Sequence, residues 1–349
     1  MVRPFALLAA VALTVGLAGC ATTDSPGGGA ASGDPAAPAE LRIGYQLIPN
    51  GDLIVKDQQW LEKALPNTKI TWSRFDSGGD VNTAIVAGSI DIGLAGSSPV
   101  ARGLAAPLNI PYQVPWIFDV IGDNESLVVR KDSGVTSLAG LAGKKIATPF
   151  ASTAHYSLLA ALADAGVAES SVQVIDLQPP DIQAAWTRGD IDAAYVWTPT
   201  LAELRKTGTT LITSRELAAK GKLTADLAVV TKAFAAKYPQ ALSVWLRQQD
   251  KAVKLVRDDK TAAAAAIARQ LNISPEEAAG QLDELVLLDA SEQAKPEYLG
   301  TPGKPGGLAD NLHAAAGFLV GQGKLEAAPD LAAYQQGINP AALAAAFAG

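Results

Sequence analysis

Residues 145–164 read KIATPFASTAHYSLLAALAD, a stretch that predicts a short strand passing directly into a helix. The strand covers 145–148, and the helix runs from about Thr153 to Asp164. Further elements follow in the same alternation: a strand at 172–177, a helix after Pro179-Pro180 and a strand at 191–197. Strands that alternate with helices in this way are typical of an α/β fold with mostly parallel sheets.

The same alternation extends toward the start of the chain. The predicted elements there are strands at 41–46, 68–75 and 90–95, helices at 53–65 and 79–87, a helix after GSSP at 96–99, and an extended stretch at 110–118. Beyond Lys232 the chain is predicted to be mostly helical. No repeat of 20–50 residues is visible, so a solenoid is not indicated.

Two α/β lobes, with the second inserted into the first, account for this order most simply. Lobe 1 would contain residues 41–126 plus 229–349, and lobe 2 residues 127–228. Residues 41–349 are long enough for two domains at about 150 residues each. The chain would cross between the lobes near 124–131 and again near 226–232.

The N-terminus predicts export and a lipid anchor. Arg3 precedes an apolar run from Phe5 to Leu17, which is too short to span a bilayer and ends in Leu17-Ala18-Gly19-Cys20. The single cysteine of the chain directly after Leu-Ala-Gly resembles a bacterial lipobox, so residues 1–19 are expected to be a lipoprotein signal peptide and Cys20 the lipidated residue. Residues 20–40, rich in Gly, Ala, Ser and Pro, are expected to form a flexible tether.

The composition excludes several classes of function. A net charge of −7 argues against nucleic acid as a partner. With two histidines and one cysteine, a His/Cys metal cluster is not available, and no phosphate-binding glycine loop follows a predicted strand. No catalytic constellation is recognisable, so we expect a protein that is not an enzyme and has no cofactor or metal.

Two strand-to-helix turns carry paired hydroxyls. Ser97 and Ser98 begin one predicted helix, and Ser152 and Thr153 begin another. Free N–H groups and a partial positive charge at a helix start favour an anion, and ligands of parallel sheets bind at the carboxyl ends of strands. The alternative for each turn is that the hydroxyls only cap their helix.

Acidic and aromatic residues form a second set near predicted strand ends. Glu125, Asp192, Trp197 and Asp226 are the candidates within it for binding a ligand ammonium, through the carboxylates and through the ring of Trp197. Glu125 and Asp226 lie at the two proposed crossings between lobes. Each residue also has a structural interpretation, as a turn, a strand edge or part of the core.

Several stretches resemble taurine-binding proteins of ABC importers, within the wider group that binds sulfonates, nitrate and thiamine precursors. They are FDSG (75–78), GSSP (96–99), PFASTAHYSLL (149–159), LQPP (177–180) and GDIDAAYVW (189–197). The resemblance implies the type-2 periplasmic-binding-protein fold, with two α/β lobes joined by two crossover strands. It also implies an extracytoplasmic receptor that passes its ligand to ABC permease and ATPase subunits.

The resemblance further implies roles for individual residues. Ser97, Ser98, Ser152 and Thr153 would hold the sulfonate of taurine. The carboxylates of Glu125, Asp192 and Asp226 would face the ammonium, with Trp197 over the ethylene link. An alkanesulfonate, nitrate or a thiamine pyrimidine precursor remains an alternative ligand, and a pyrimidine-precursor synthase on the same fold is the alternative of another class.

Overall fold

The computed structural model describes residues 37–348. The signal peptide predicted at 1–19, Cys20 and most of the predicted tether lie outside these residues. The last part of the tether prediction is wrong, because the Ala39 carbonyl accepts a hydrogen bond from the Lys69 amide and Glu40 already begins the first strand. Within the described residues no helix combines the length and apolarity needed to cross a bilayer.

Twelve strands are present in this part of the chain. In chain order they are β1 (Glu40–Tyr45), β2 (Lys69–Arg74), β3 (Ile92–Gly96), β4 (Tyr112–Val120), β5 (Glu125–Arg130), β6 (Lys145–Thr148), β7 (Gln173–Asp176), β8 (Ala193–Trp197), β9 (Gly208–Thr213), β10 (Ala225–Thr231), β11 (Gly300–Thr301) and β12 (Lys304–Pro305).

Sixteen α-helices connect or cover these strands within residues 37–348. They are α1 (Gly51–Asp57), α2 (Trp60–Ala64), α3 (Gly78–Val86), α4 (Ser97–Gly103), α5 (Thr153–Asp164), α6 (Pro179–Arg188), α7 (Thr200–Thr207), α8 (Ser214–Ala218), α9 (Lys232–Lys237), α10 (Pro239–Asp258), α11 (Lys260–Leu271), α12 (Pro275–Asp283), α13 (Ala290–Gln293), α14 (Leu308–Gly321), α15 (Leu331–Gly337) and α16 (Pro340–Phe347). The single helix predicted at 53–65 is divided into α1 and α2, because Gln59 adopts a left-handed backbone with φ of 53°.

The strands form two five-stranded sheets and one small hairpin. The first sheet has the order β2-β1-β3-β10-β4, the second has the order β7-β6-β8-β5-β9, and β11 pairs with β12. The strands β3 and β8 are buried along their whole length, which is typical of a central strand covered by helices on both faces. The α/β architecture predicted from the alternation is therefore present in both halves of the chain.

One strand in each sheet runs antiparallel to its neighbours. In the first sheet it is β10, which lies between β3 and β4; in the second it is β5, which lies between β8 and β9. Each of these two strands is the first that the chain forms after it leaves the other sheet. Because β5 and β10 run opposite to the strands beside them, their amino ends lie at the same edge as the carboxyl ends of those strands.

The two changes of sheet come slightly earlier in the chain than predicted. The first lies between Val120 and Glu125, and the second lies between Ala218 and Ala225. Residues 125–126 thus belong to the second sheet and residues 225–228 to the first, the reverse of the predicted lobe boundaries. The apolar pattern does not reveal this shift, because strands on both sides of each crossing are equally buried.

Candidate functional site

The antiparallel strands bring acidic side chains to the edge where the parallel strands end. In the second sheet Glu125 pairs in register with Trp197, the last residue of β8. In the first sheet Asp226 pairs with Gly96, the last residue of β3. Ligands of open α/β sheets bind beyond the carboxyl ends of the strands, so this edge is the candidate site.

A cavity lies between the two sheets at this edge. Its empty volume, which includes space open to solvent, is about 310 Å³. The lining residues are Gln46, Ile48, Gly78, Gly96, Pro99, Ile121, Asn124, Glu125, Ser152, Thr153, Trp197 and Asp226. Two of them are carboxylates, none is a lysine or arginine, and Trp197 is the one aromatic residue among them.

Glu125 is buried and held by three hydroxyl groups. Thr153 Oγ1 donates to its Oε2 at 2.5 Å, and Ser214 and Ser157 Oγ donate to its Oε1 at 3.0 and 3.4 Å. Burial raises the pKa of Glu125 to about 8, although the hydroxyl donors act in the opposite direction. A carboxyl in this state favours a cation as a neighbour, because a cation offsets the cost of holding its charge out of water.

Asp226 lies beside a second buried carboxyl, Asp119 of β4. The two residues are partners in the ladder between β10 and β4. Within residues 37–348 no amide, hydroxyl or basic group donates to Asp119 or to Asp226, and the two carboxyls lie within hydrogen-bonding reach of each other. Burial, together with the charges of Asp226 and Glu125, raises the pKa of Asp119 well above its ordinary value, and burial raises the pKa of Asp226 to about 7.

The four hydroxyls predicted to hold an anion have different surroundings. Ser152 caps α5, since its Oγ accepts from the His155 amide at 3.1 Å and donates to the Pro149 carbonyl at 2.6 Å. Ser97 Oγ accepts from the Ala225 amide at 3.2 Å. The capping alternative therefore describes Ser152, which also lines the cavity, whereas Ser97 neither caps α4 nor lines the cavity.

The other two hydroxyls differ from this pair. Thr153 lines the cavity, but its hydroxyl donates to Glu125 rather than standing free. Ser98 is buried with no partner for its Oγ in the described part of the chain, yet it is not among the cavity-lining residues. The groups best placed for an anion are thus backbone amides in the first turn of α5, which lack an intrahelical acceptor.

Asp192 is not part of the site, which corrects its prediction. It precedes β8 at the amino end of that strand, whereas the cavity is at the carboxyl end, by Trp197. Its Oδ2 accepts from the Lys145 amide at 2.9 Å. Counting Asp192 as close to a strand end was correct, but the direction of β8 places it at the opposite edge of the sheet.

Asp119 and seven of the lining residues were not predicted as site residues; the seven are Gln46, Ile48, Gly78, Gly96, Pro99, Ile121 and Asn124. Gln46 follows β1, and Asn124 lies in the first crossing, both at strand ends where the search rule applies. The Asn124 side-chain carbonyl accepts from the Gly122 amide at 2.8 Å, which leaves its NH₂ group able to donate. Gly78 begins α3 within the FDSG stretch, and Asp119 is a charged residue inside the buried strand β4.

Gly96 is the point of closest approach between the two sheets at the site. A Cβ atom at this position would lie 2.5 Å from Cγ2 of Thr153 and 3.6 Å from Oδ1 of Asp226. The absence of a side chain at Gly96 therefore allows Thr153 of the second half to reach the edge of the first sheet.

The buried carboxyls predict how stability changes with pH. The pKa of Glu125 is raised from 4.5 to about 8, so its contribution is fully present below about pH 4.5 and is lost as the pH rises through about 8. We expect the free energy of unfolding of the ligand-free protein to fall by about 1 kcal/mol per pH unit for this group. Urea denaturation between pH 5 and pH 9 measures it.

In the Glu125→Gln protein the free energy of unfolding should fall less steeply with pH than in the wild-type protein. The decline should not vanish, because burial also raises the pKa of Asp52 to about 7 at a distant position of the core. A stability that rises across this range would contradict the burial of these carboxyls as protonated groups.

A metal centre is not indicated, since no group of three His, Cys, Asp or Glu side chains suitable for holding a metal occurs in residues 37–348.

The chain is similar to known proteins over most of its length. A family model described as the substrate-binding domain of ABC-type glycine betaine transport systems matches residues 39–284. The taurine-binding periplasmic protein of Escherichia coli strain K12 is 40% identical over 206 residues, which cover 54% of this chain and 63% of that protein. The chain thus matches less than two thirds of the length of this relative.

Solved structures share the fold. The alkanesulfonate-binding protein SsuA from Xanthomonas axonopodis pv. citri, bound to MOPS, is 24% identical, with a TM-score of 0.72 over 87% of this chain and 99% of that chain. The periplasmic aliphatic sulphonate binding protein SsuA from Escherichia coli is 25% identical, with a TM-score of 0.67 over 85% and 92%. The predicted type-2 periplasmic-binding-protein fold is confirmed.

Proposed function

Because this chain belongs to the family of substrate-binding domains of ABC-type glycine betaine transport systems, we propose that it is the extracytoplasmic receptor of an ABC importer. Its ligand in this proposal is taurine or a closely related small aminosulfonate. The names of its relatives support a sulfonate, and the chemistry of the cavity supports a ligand that also carries an ammonium.

The observation that carries this proposal is the charge of the cavity. Glu125 and Asp226 face a space of about 310 Å³ that no lysine or arginine lines. An ammonium near Asp226 would neutralise the buried pair that Asp226 forms with Asp119. Trp197, buried at the end of β8, provides an apolar face for the short carbon chain.

The anionic end of the ligand would lie at the start of α5. The first amides of α5 and the NH₂ group of Asn124 can donate to sulfonate oxygens without a full positive charge. Burying a sulfonate costs several kcal/mol unless such donors replace its water. Closure of the two halves around the crossings would bring these donors and the carboxylates onto the same small molecule.

Other ligands of the family and its relatives fit the cavity less well. Recognition of a quaternary ammonium such as glycine betaine relies on several aromatic faces, and here Trp197 is the one aromatic lining residue. Nitrate and simple alkanesulfonates lack a cation, so Glu125 and Asp226 would remain uncompensated or protonated. An aminosulfonate has an ammonium for the carboxylates and a sulfonate for the amides at the start of α5.

Binding also fits better than turnover. The histidine nearest to the site in sequence, His155, does not line the cavity; its ring stacks on Phe150 with centroids 4.6 Å apart. Its Nδ1 accepts from the Ala151 amide, and burial lowers the pKa of His155 to about 4. His155 is therefore a neutral structural group, and the proposed receptor is not an enzyme.

Isothermal titration calorimetry with the purified mature protein tests the ligand. We expect taurine to bind at least ten times more tightly than ethanesulfonate, which has the same two-carbon chain but no amine, since the ammonium adds a charged hydrogen bond of about 1.5–3 kcal/mol. Glycine betaine, sulfate and nitrate complete the panel. Ethanesulfonate binding as tightly as taurine would contradict the ammonium site, and a preference for glycine betaine would contradict the sulfonate.

A lipid anchor at Cys20 is the remaining part of the proposal. It would hold the receptor at the outer face of the cytoplasmic membrane beside the permease. Its support is the sequence Leu17-Ala18-Gly19-Cys20, since these residues lie outside the described part of the chain.

A further inference from the structure

Exposed apolar side chains are concentrated beside the ligand cavity. Of the four large hydrophobic residues that are clearly exposed in residues 37–348, Val86 is 64% exposed, Leu108 46% and Phe150 41%. Val86 and Leu108 line a groove of about 660 Å³, open to solvent, and Phe150 precedes Ala151, which lines the same groove. Exposed apolar side chains grouped around one groove are a feature of interaction sites.

The groove contains one cation without a counterion. Arg102, in the last turn of α4, lines the groove half-buried, and no carboxylate of the described residues lies within 4.0 Å of its guanidinium. Burial alone lowers the pKa of Arg102. Beside it, Asn82 is 7% exposed, and its Oδ1 has no hydrogen-bond partner in this part of the chain.

The groove is built from both halves of the protein. Val86 and Arg102 belong to α3 and α4 beside the first sheet, whereas Ala151 belongs to the turn between β6 and α5 of the second sheet. Pro99 lines both the groove and the ligand cavity. The shape of the groove therefore depends on how closely the two halves approach each other around a ligand.

The side of the groove that belongs to the second half is held rigidly. Ala151 has a left-handed backbone with φ of 63°, which is costly for a residue other than glycine, and its amide donates to His155 Nδ1 at 3.2 Å. The Phe150 ring stacks on His155 with an interplanar angle of 11°. Phe150 is thus presented to solvent by a fixed turn rather than by a loose loop.

We propose that this groove, which we call the docking groove, binds a protein segment presenting an apolar side chain next to a carboxylate. The apolar side chain would fill the space between Val86 and Leu108, and the carboxylate would pair with Arg102. A lipid surface is a poorer match, because anionic membranes are bound by clusters of basic residues, whereas the docking groove has one. Given the proposed function, on which this inference rests, the segment belongs to the membrane subunit of the importer.

The test uses the full-length lipoprotein with the permease–ATPase complex of its importer in proteoliposomes, and measures ATPase activity against receptor concentration at saturating taurine. For Leu108→Ser and for Arg102→Glu we expect half-maximal stimulation to need about ten times more receptor than for the wild-type protein.

Two matched variants serve as controls. Phe347 is the fourth exposed hydrophobic residue and lines a different cavity, and Arg188 is an exposed arginine paired with Asp190. Phe347→Ser and Arg188→Glu should stimulate as the wild type does. Calorimetry should show an unchanged taurine affinity in all four variants, which separates docking from ligand binding.

Stimulation by Leu108→Ser and Arg102→Glu at wild-type receptor concentrations would overturn the docking groove. A wild-type protein that binds neither taurine nor ethanesulfonate would contradict the proposed function instead, so the two failures are distinguishable.

Discussion

Asp226→Asn should lower the affinity for taurine about 100-fold, corresponding to about 3 kcal/mol, while the affinity for ethanesulfonate falls much less. The expected difference arises because Asp226 faces the cavity with no amide, hydroxyl or basic donor from the described residues, and its neighbour Asp119 is a second buried carboxyl. An ammonium is the group that would satisfy this pair. An asparagine amide would instead donate to Asp119 and offer the ammonium no negative charge at this position. Calorimetry with both ligands measures the effect.

A suitable control for this variant is Asp192→Asn, which removes a carboxylate at the opposite edge of the second sheet and should leave taurine binding unchanged. The Asp226→Asn protein should unfold at the same or a higher temperature than the wild type, because one of two adjacent buried carboxyls is removed. Equal losses for taurine and ethanesulfonate would mean that Asp226 does not contact the ammonium.

The fold was predictable because its signals are local. Strands such as β6 and helices such as α5 are separated by turns whose residues are visible in the sequence, and their alternation implies parallel sheets. The antiparallel strands β5 and β10 gave no comparable signal. Both are buried except at their last residue, and which sheet they join depends on contacts with residues far away in the chain.

The sequence could predict those cavity-lining residues that lie next to the end of a strand. Glu125, Asp226, Trp197 and Thr153 line the cavity for this reason. The same rule wrongly selected Asp192, because a correct prediction also requires the direction of the strand, and Asp192 lies at the amino end of β8. The chain positions alone do not supply that direction until the neighbouring strands are known.

The role of each hydroxyl could not be read from the sequence. A serine at a helix start can cap the helix or bind a ligand, and the choice depends on which acceptor is closer. The Ser152 hydroxyl lies 2.6 Å from the Pro149 carbonyl, and the Thr153 hydroxyl lies 2.5 Å from Glu125. The first contact lies within one turn, whereas the second depends on packing against a residue 28 positions earlier in the chain.

Gly96→Ala should weaken taurine binding about 30-fold, since the added Cβ would lie 2.5 Å from the Thr153 methyl group and overpacking of this kind costs about 1–3 kcal/mol. Thr153 cannot move aside easily, because its hydroxyl is bonded to Glu125. The halves must therefore close less tightly, and a larger sulfonate such as MOPS should lose less affinity than taurine. Gly317→Ala is the matched control: a Cβ there meets no atom within 4 Å, so taurine binding should not change. Wild-type taurine affinity in Gly96→Ala would show that the contact between Gly96 and Thr153 does not limit the width of the cavity.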